Sequence, residues 1–173
     1  LIVAQARGNA HPELWDKLHA AALRDDRLVE LASAYERLGQ DRRVRIMSAP
    51  FQAQVFLNGA RFFTRALGDR DAAEAALELA LGLVPGPPEA FELLKRLLED
   101  KGDREKLASL HLAAVGPKTD RDEALAHLRA ALDLLPEEDV DRATKVAQQI
   151  LRLDPADTSA LSALEERISA ANR

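Results

Sequence analysis

Two Gly-Asp pairs, Gly68-Asp69 and Gly102-Asp103, lie 34 residues apart in the chain. Each pair lies between two stretches whose apolar residues recur at intervals of three and four, the spacing of one buried helix face. A period of this length accommodates two helices of about four turns each, together with two tight turns. The period therefore predicts a repeating unit of two antiparallel helices.

The stretch from Gln54 to Pro88 carries the punctuation that such a unit needs. Gly68 can adopt the left-handed conformation that commonly ends a helix. Asp69 or Asp71 can then accept hydrogen bonds from the free amides at the start of the next helix. Pro85 follows that helix and stops it, because proline lacks the amide donor. This stretch is therefore the most regular unit in the chain.

A packing pattern in the second helix of this unit recurs further along the chain. It consists of a small residue, a bulky residue, a small residue and a proline, with spacings of four, three and five: Ala73, Leu77, Ala80 and Pro85, then Ala124, Leu128, Ala131 and Pro136. Small residues at both ends let two helix axes approach closely, while the bulky one fills the groove between them. The pattern predicts helical hairpins packed against one another.

With these features, Gln54 to Pro88 resembles a tetratricopeptide repeat. The first helix of that family usually carries Trp, Leu, Gly and Tyr, and those positions here hold Leu57, Ala60, Arg61 and Thr64. The aromatic and glycine signatures are therefore degraded, and other helical-repeat arrays that share the hairpin unit remain an alternative. The resemblance implies an all-α fold, a right-handed α-solenoid of antiparallel helical hairpins with about nine helices.

The resemblance also gives an outline of the chain. Residues 1–173 are predicted to form a single helical-repeat array, which is a fragment of a longer protein because it begins at Leu1 rather than at Met. Residues 54–87 are the best-matching repeat, 88–136 are an irregular one and a half repeats, and 137–173 are a C-terminal hairpin. The segment from Asp103 to Val115 fits either the second helix of one repeat or the first of the next. Helices are predicted over 12–24, 26–39, 51–67, 70–84, 88–101, 103–115, 120–135, 138–153 and 157–171.

Composition excludes several kinds of chemistry. The 173 residues contain no cysteine, which removes disulfides, thiolate metal sites and thiol nucleophiles. The formal charge of -5 argues against nucleic-acid binding, and no apolar run approaches the ~20 residues that span a membrane. The four histidines lack metal-binding spacings, and no Gly-rich loop is present to cradle phosphate. We therefore predict no enzyme activity, no cofactor or metal, no nucleic-acid partner and no direct membrane insertion.

The balance of basic residues bears on the source of the protein. Arginine outnumbers lysine 18 to 6, which together with abundant alanine and leucine is typical of bacteria with GC-rich genomes. The start of the chain does not have the basic-then-apolar order of a signal peptide. The compartment stays open, with the cytoplasm favoured over the periplasm.

The resemblance implies a concave surface, lined by first helices, that binds extended peptides or partner helices. The residues predicted to line it fall away from the buried stripe of their helices: Asn58, Arg61, Phe62, Arg65, Lys95 and Arg96. Phe62 and Phe63 are adjacent and cannot both face the same way, so one is expected to be partly exposed or to meet another element. The simpler interpretation is a solvated face with ion pairs worth about 0.3–0.5 kcal/mol each.

The sequence therefore predicts a non-catalytic scaffold or adaptor segment that binds another protein or peptide in its groove. The first alternative is a structural, self-associating array that forms homo-oligomers through an exposed apolar stripe near its end, with Leu161, Leu164 and Ile168. A helical enzyme domain is a third, less favoured alternative.

Overall fold

The computed structural model describes residues 12–83 and 87–171, and the regular structure in these residues is helical throughout. Ten α-helices follow in chain order: α1 (Pro12–Arg24), α2 (Leu28–Arg37), α3 (Arg42–Arg45), α4 (Ala49–Phe62), α5 (Arg70–Leu83), α6 (Pro88–Lys101), α7 (Arg104–Ala114), α8 (Arg121–Leu134), α9 (Val140–Leu153) and α10 (Thr158–Ala171). The fold is all-α, as predicted.

Apart from three differences, the predicted helices begin and end within two residues of the observed ones. The short helix α3 lies in a segment for which no helix was predicted. The helix predicted to begin at residue 26 begins at Leu28, because Asp26 has φ 55° and separates it from α1. The helix predicted over 51–67 changes at Phe63 into a π-helical turn, Phe63–Leu67. Residue 84, the predicted end of the helix from 70, and Pro85, predicted to stop it, lie outside the described residues.

Both glycines of the 34-residue period end their helices in the left-handed conformation, which the sequence predicts for Gly68. Gly68 has φ 66° and Gly102 has φ 69°. After Gly68 the chain is fixed by the amide of Asp69, which donates to the carbonyl of Phe63 at 3.0 Å. The Gly-Asp pair is therefore a helix stop followed by a helix start, as the sequence predicts.

Aspartate side chains cap the N-termini of several helices. Asp69 caps α5 through the amide of Ala72 at 3.0 Å, which decides between the two candidates left open by the sequence. Five more aspartate side chains cap helices in the same way, each accepting a hydrogen bond from a backbone amide two or three residues later: Asp41, Asp103, Asp120, Asp139 and Asp157. Each cap satisfies a donor that has no partner within its helix.

The chain divides into two compact units, Leu1–Leu97 and Leu98–Arg173, here called unit 1 and unit 2. Within unit 1, α4 packs along α5 as one helical hairpin. Within unit 2, α7 packs on α8, α8 on α9, and α9 on α10. The segment from Asp103 to Val115 is thus the first helix of a hairpin whose second helix is α8.

The core of unit 1 is aromatic. The ring of Tyr35 lies 6.4 Å from that of Trp15, 5.4 Å from that of Phe62 and 6.1 Å from that of Phe63, measured between centroids. Gly59 lets α4 approach this cluster, because a Cβ at that position would lie 2.9 Å from Cδ1 of Tyr35. The aromatic residues therefore join α1, α2 and α4 into one packed body.

The core of unit 2 is aliphatic. No Phe, Tyr or Trp occurs from Leu98 to Arg173, and all seven aromatic residues of the chain belong to unit 1. The buried cluster of unit 2 consists of Ala108, Leu125, Leu128, Leu132, Leu135, Ala143, Val146, Ala147, Ile150 and Ala160. Its alanines allow the close helix contacts that the small-bulky-small pattern predicts.

Candidate functional site

Arg61 is held in place inside unit 1. Its guanidinium donates to Glu89 at the start of α6, with Nε 3.0 Å from Oε1, and Nη1 donates to Oδ1 of Asn58 at 3.0 Å. Asn58 in turn donates from Nδ2 to the carbonyl of Gln54 at 2.9 Å. Arg61 therefore links α4 to α6, and its charge is already paired.

Two of the predicted groove residues are buried, so the expectation that they are exposed is wrong. Asn58 is 2% exposed and Phe62 is 1% exposed. Phe62 meets another element, as the adjacency with Phe63 allowed: its ring lies 5.0 Å from that of His19 on α1. The packing of α1 and α2 against α4 covers a face that helical periodicity within α4 alone leaves outside.

The other three predicted residues keep some access to solvent. Arg65 and Arg96 are exposed, while Lys95 is half-buried. Arg65 lies in the π-helical turn that ends α4, whereas Lys95 and Arg96 lie on α6. These three residues are accessible cations of unit 1, and their role in binding a partner remains a prediction.

The structure also brings together polar residues that the sequence did not single out as pairs. His19 Nε2 lies 2.8 Å from the hydroxyl of Tyr35, and His111 Nδ1 lies 3.0 Å from Nδ1 of His127. Both pairs are separated by 16 residues and join the two helices of a hairpin. The hairpin geometry is the signal that could have found them, because motif spacings within one helix do not reach so far.

Unit 1 contains an open groove of about 800 Å³ between α1, α2 and the start of α3. Leu18, Leu31 and Leu38 contribute to its apolar floor. Its charged side chains are Asp25, Arg27, Glu30, Arg37, Asp41 and Arg43. Acids and bases are equal in number here, and neighbours of opposite sign pair, as in the 2.8 Å contact between Arg43 and Asp41. This groove consequently favours neither sign of charge in a partner.

Unit 2 contains a different groove, of about 500 Å³, which we call the basic groove. Its floor is formed by apolar side chains of α7, α8 and α9 and of the residue directly after α7: Leu112, Val115, Leu128, Val146 and Leu153. Arg142, Lys145, Gln149 and Arg152, all on α9, complete the lining. No acidic residue lines this groove among the residues that the structure describes.

The three cations of the basic groove differ in how far they are already paired. Arg142 donates to Oγ of Ser109 at 3.1 Å, and its Nη1 lies 3.5 Å from Asp139 and 3.7 Å from Glu105. Lys145 and Arg152 are exposed and make no hydrogen bond or ion pair within the described part of the chain. The groove therefore presents two unpaired positive charges beside an apolar floor.

The apolar stripe considered for self-association is only partly open. Leu161 is 43% exposed, but Leu164 packs against the core cluster of unit 2. The side chain of Ile168 lies outside the described residues. The described part of the stripe is thus a single exposed leucine beside a packed one.

No helix within residues 12–83 and 87–171 is both long enough and apolar enough to cross a bilayer. Over the same ranges, no group of three or more His, Asp or Glu side chains is arranged to hold a metal ion.

Comparisons with known proteins add little to this description. No family model matches the chain, and no curated protein matches it. A solved structure described as "MamA RS-1 ArsTM double mutant" is similar at 18% identity and a TM-score of 0.40, over 92% of this chain and 84% of that one. A likeness this distant carries no argument about function, so the site is argued from its own geometry.

Proposed function

We propose that this protein is a non-catalytic protein-interaction module, and that the basic groove receives a segment of a partner protein. The observation that carries the proposal is a groove whose half-buried apolar side chains keep some access to solvent beside two unpaired cations, Lys145 and Arg152. The half-buried side chains are Leu112, Val115 and Leu153, whereas Leu128 and Val146 belong to the buried core cluster. Covering apolar surface favours association, and rim charges set the orientation and choice of the partner. The groove thus offers both an adhesive surface and a means of selection.

The absence of a catalytic role is part of the proposal. Between α7 and α8, Nδ1 of His111 lies 3.0 Å from Nδ1 of His127. Two imidazoles that share one hydrogen bond are a common way to satisfy polar groups between packed helices. This pair supports a structural role for these histidines.

Partner binding by Arg65, Lys95 and Arg96 on unit 1 stays a second prediction of the same kind. We propose the main contact in unit 2, because there a groove joins apolar side chains, such as Leu112 and Leu153, to unpaired cations. Arg61 belongs to the internal ion pair with Glu89 and is left out of the proposed contact surface.

Photo-crosslinking from two neighbouring glutamines tests the proposed function. Gln149 lines the groove, whereas Gln148 is also exposed on α9, does not line the groove and points about 100° away around the helix. With p-benzoylphenylalanine at either position, we expect a discrete protein adduct from Gln149 in a lysate of the source organism and none from Gln148. Equal adducts from both positions, or none from either, contradict the proposal.

A further inference from the structure

We infer that the partner segment held by the basic groove is an acidic amphipathic helix of about three turns. This inference rests on the proposed function, because it specifies the chemistry and shape of the segment that the groove receives. Three observations carry it: the spacing of the groove residues along α9, the sign of their charges, and the electrostatic surroundings in unit 2.

The spacing matches a partner that lies along α9. The groove residues on this helix are Arg142, Lys145, Val146, Gln149, Arg152 and Leu153. They recur at intervals of three and four, so they form one stripe about 16 Å long on a straight helix. A second helix packs its own ridge of side chains against such a stripe, and a length of about three turns covers it.

The two sides of the stripe call for an amphipathic occupant. Val146 and Leu153 continue the apolar floor that Leu112 and Val115 form, whereas Lys145 and Arg152 stand exposed on the rim. A ridge of leucines on the partner would cover the floor, and carboxylates seven residues apart on its flank would reach the two cations. An uncharged ridge alone would leave both cations without partners.

The charge of unit 2 makes this stripe selective. Leu98 to Arg173 contain 11 basic and 16 acidic residues, so the unit as a whole is negative. The groove is nevertheless lined by three basic residues and, within the described ranges, by no acid. A basic partner would be attracted to the rest of unit 2 and repelled from the groove, whereas an acidic one would be repelled by the net charge of unit 2 and attracted at the groove. Charge complementarity thus places an acidic segment in this groove.

The experiment uses three designed helical peptides that share one leucine ridge with spacings of three and four. Their flanks carry glutamate, glutamine or lysine at the same positions, and binding to the full chain is measured by fluorescence anisotropy of a terminal label. We expect the glutamate peptide to bind best and the lysine peptide to bind about tenfold or more weakly, which corresponds to about 1.4 kcal/mol. The difference should shrink between 0.05 M and 0.5 M NaCl, because salt screens exposed charges.

Charge reversal on the protein gives the decisive comparison. Lys145→Glu with Arg152→Glu should invert the order of the glutamate and lysine peptides. The matched control is Arg42→Glu with Arg45→Glu, which changes the net charge equally at exposed arginines of α3 that do not line the groove. We expect the control to keep the original order, and circular dichroism checks that both variants keep their helix content.

The remaining outcomes separate this inference from the proposed function. If all three peptides bind equally and charge reversal has no effect, the acidic partner is ruled out, while crosslinking at Gln149 still decides whether a protein docks there. If no peptide binds, the inference is likewise wrong. A dimer of the chain that Lys145→Glu with Arg152→Glu dissociates, or binding to phosphatidylglycerol vesicles in place of the peptide, would assign the groove to another occupant.

Discussion

The effect of an individual residue on the stability of this protein depends on contacts outside its own helix. Gly59 and Gly82 each lie in the last turn of an α-helix, Gly59 in α4 and Gly82 in α5. At Gly59 an added Cβ would lie 2.9 Å from the ring of Tyr35, which is buried and tied through its hydroxyl to His19. At Gly82 an added Cβ would meet nothing within 4 Å. Replacing the two glycines should therefore change the stability of the protein in opposite directions.

Substitution by alanine should separate them. We expect Gly59→Ala to destabilise the protein by about 1–2 kcal/mol, since the overpacked ring outweighs the better helix propensity of alanine. Gly82→Ala, the control, should stabilise it by up to about 0.5 kcal/mol, because only the propensity changes there and Gly82 lies one residue before the end of α5. Urea unfolding of both variants measures the two free energies. A stabilising Gly59→Ala would mean that the ring of Tyr35 moves aside at little cost.

The contrast between Phe62 and the helix boundaries shows what the sequence could reveal at this scale. Helix starts and stops follow from local chemistry, such as the left-handed Gly68 and the cap Asp69, and these were predictable. The burial of Phe62 depends on α1 and α2, which lie far from it along the chain. The apolar pattern of α4 carries no information about that contact.

At the scale of the elements, the start of α10 combines a cap with an ion pair between helices. Oδ1 of Asp157 accepts from the amide of Ala160 at 2.8 Å, and Oδ2 lies 2.6 Å from the guanidinium of Arg129 on α8. The amide of Ala160, together with Arg129, holds the pKa of this carboxyl below its usual range. A charged carboxylate therefore fixes α10 both to its own first turn and to α8.

Asp157→Ala should reveal both contributions. We expect a loss of about 1–2 kcal/mol at pH 7, more than for Asp103→Ala, which removes the cap of α7. Because the pKa of Asp157 is lowered in the folded protein, its contribution is present above the unfolded value of 3.8 and disappears as the pH falls through the folded value. The difference in unfolding free energy between wild type and Asp157→Ala should accordingly shrink between pH 6 and pH 3, as measured by urea titrations. A difference that stays constant over this range would assign the loss to packing.

The basic groove shows where prediction from the sequence ends for a functional site. The sequence could indicate that first helices present exposed charges, since helical periodicity places Lys95 and Arg96 outside the buried stripe. It could not indicate that Lys145 and Arg152 stand unpaired beside an apolar floor, because that floor is assembled from three helices. A site formed between elements becomes visible only once their packing is known.

At the scale of the whole molecule, the aromatic residues divide the chain more sharply than its repeats do. The scarcity of aromatics that marks the composition applies to unit 2 alone, where the core is built from Leu, Val, Ile and Ala. Trp15 belongs to unit 1 and is 4% exposed, so its emission reports the unfolding of that unit. Far-UV circular dichroism reports the helices of both units.

Trp15 emission and circular dichroism together should show whether a cavity in one unit destabilises the other unit as well. Ile150 is fully buried in the aliphatic cluster of unit 2, and truncation of such a residue to alanine costs about 2–5 kcal/mol. In urea unfolding of Ile150→Ala, we expect the transition followed by circular dichroism to move to lower urea, while the transition followed by Trp15 emission moves much less. Leu77→Ala, a comparable truncation in unit 1, should move the Trp15 transition as well. Equal shifts of both probes in Ile150→Ala would mean that the two cores unfold as one cooperative body, because two-state unfolding requires all probes to report the same midpoint.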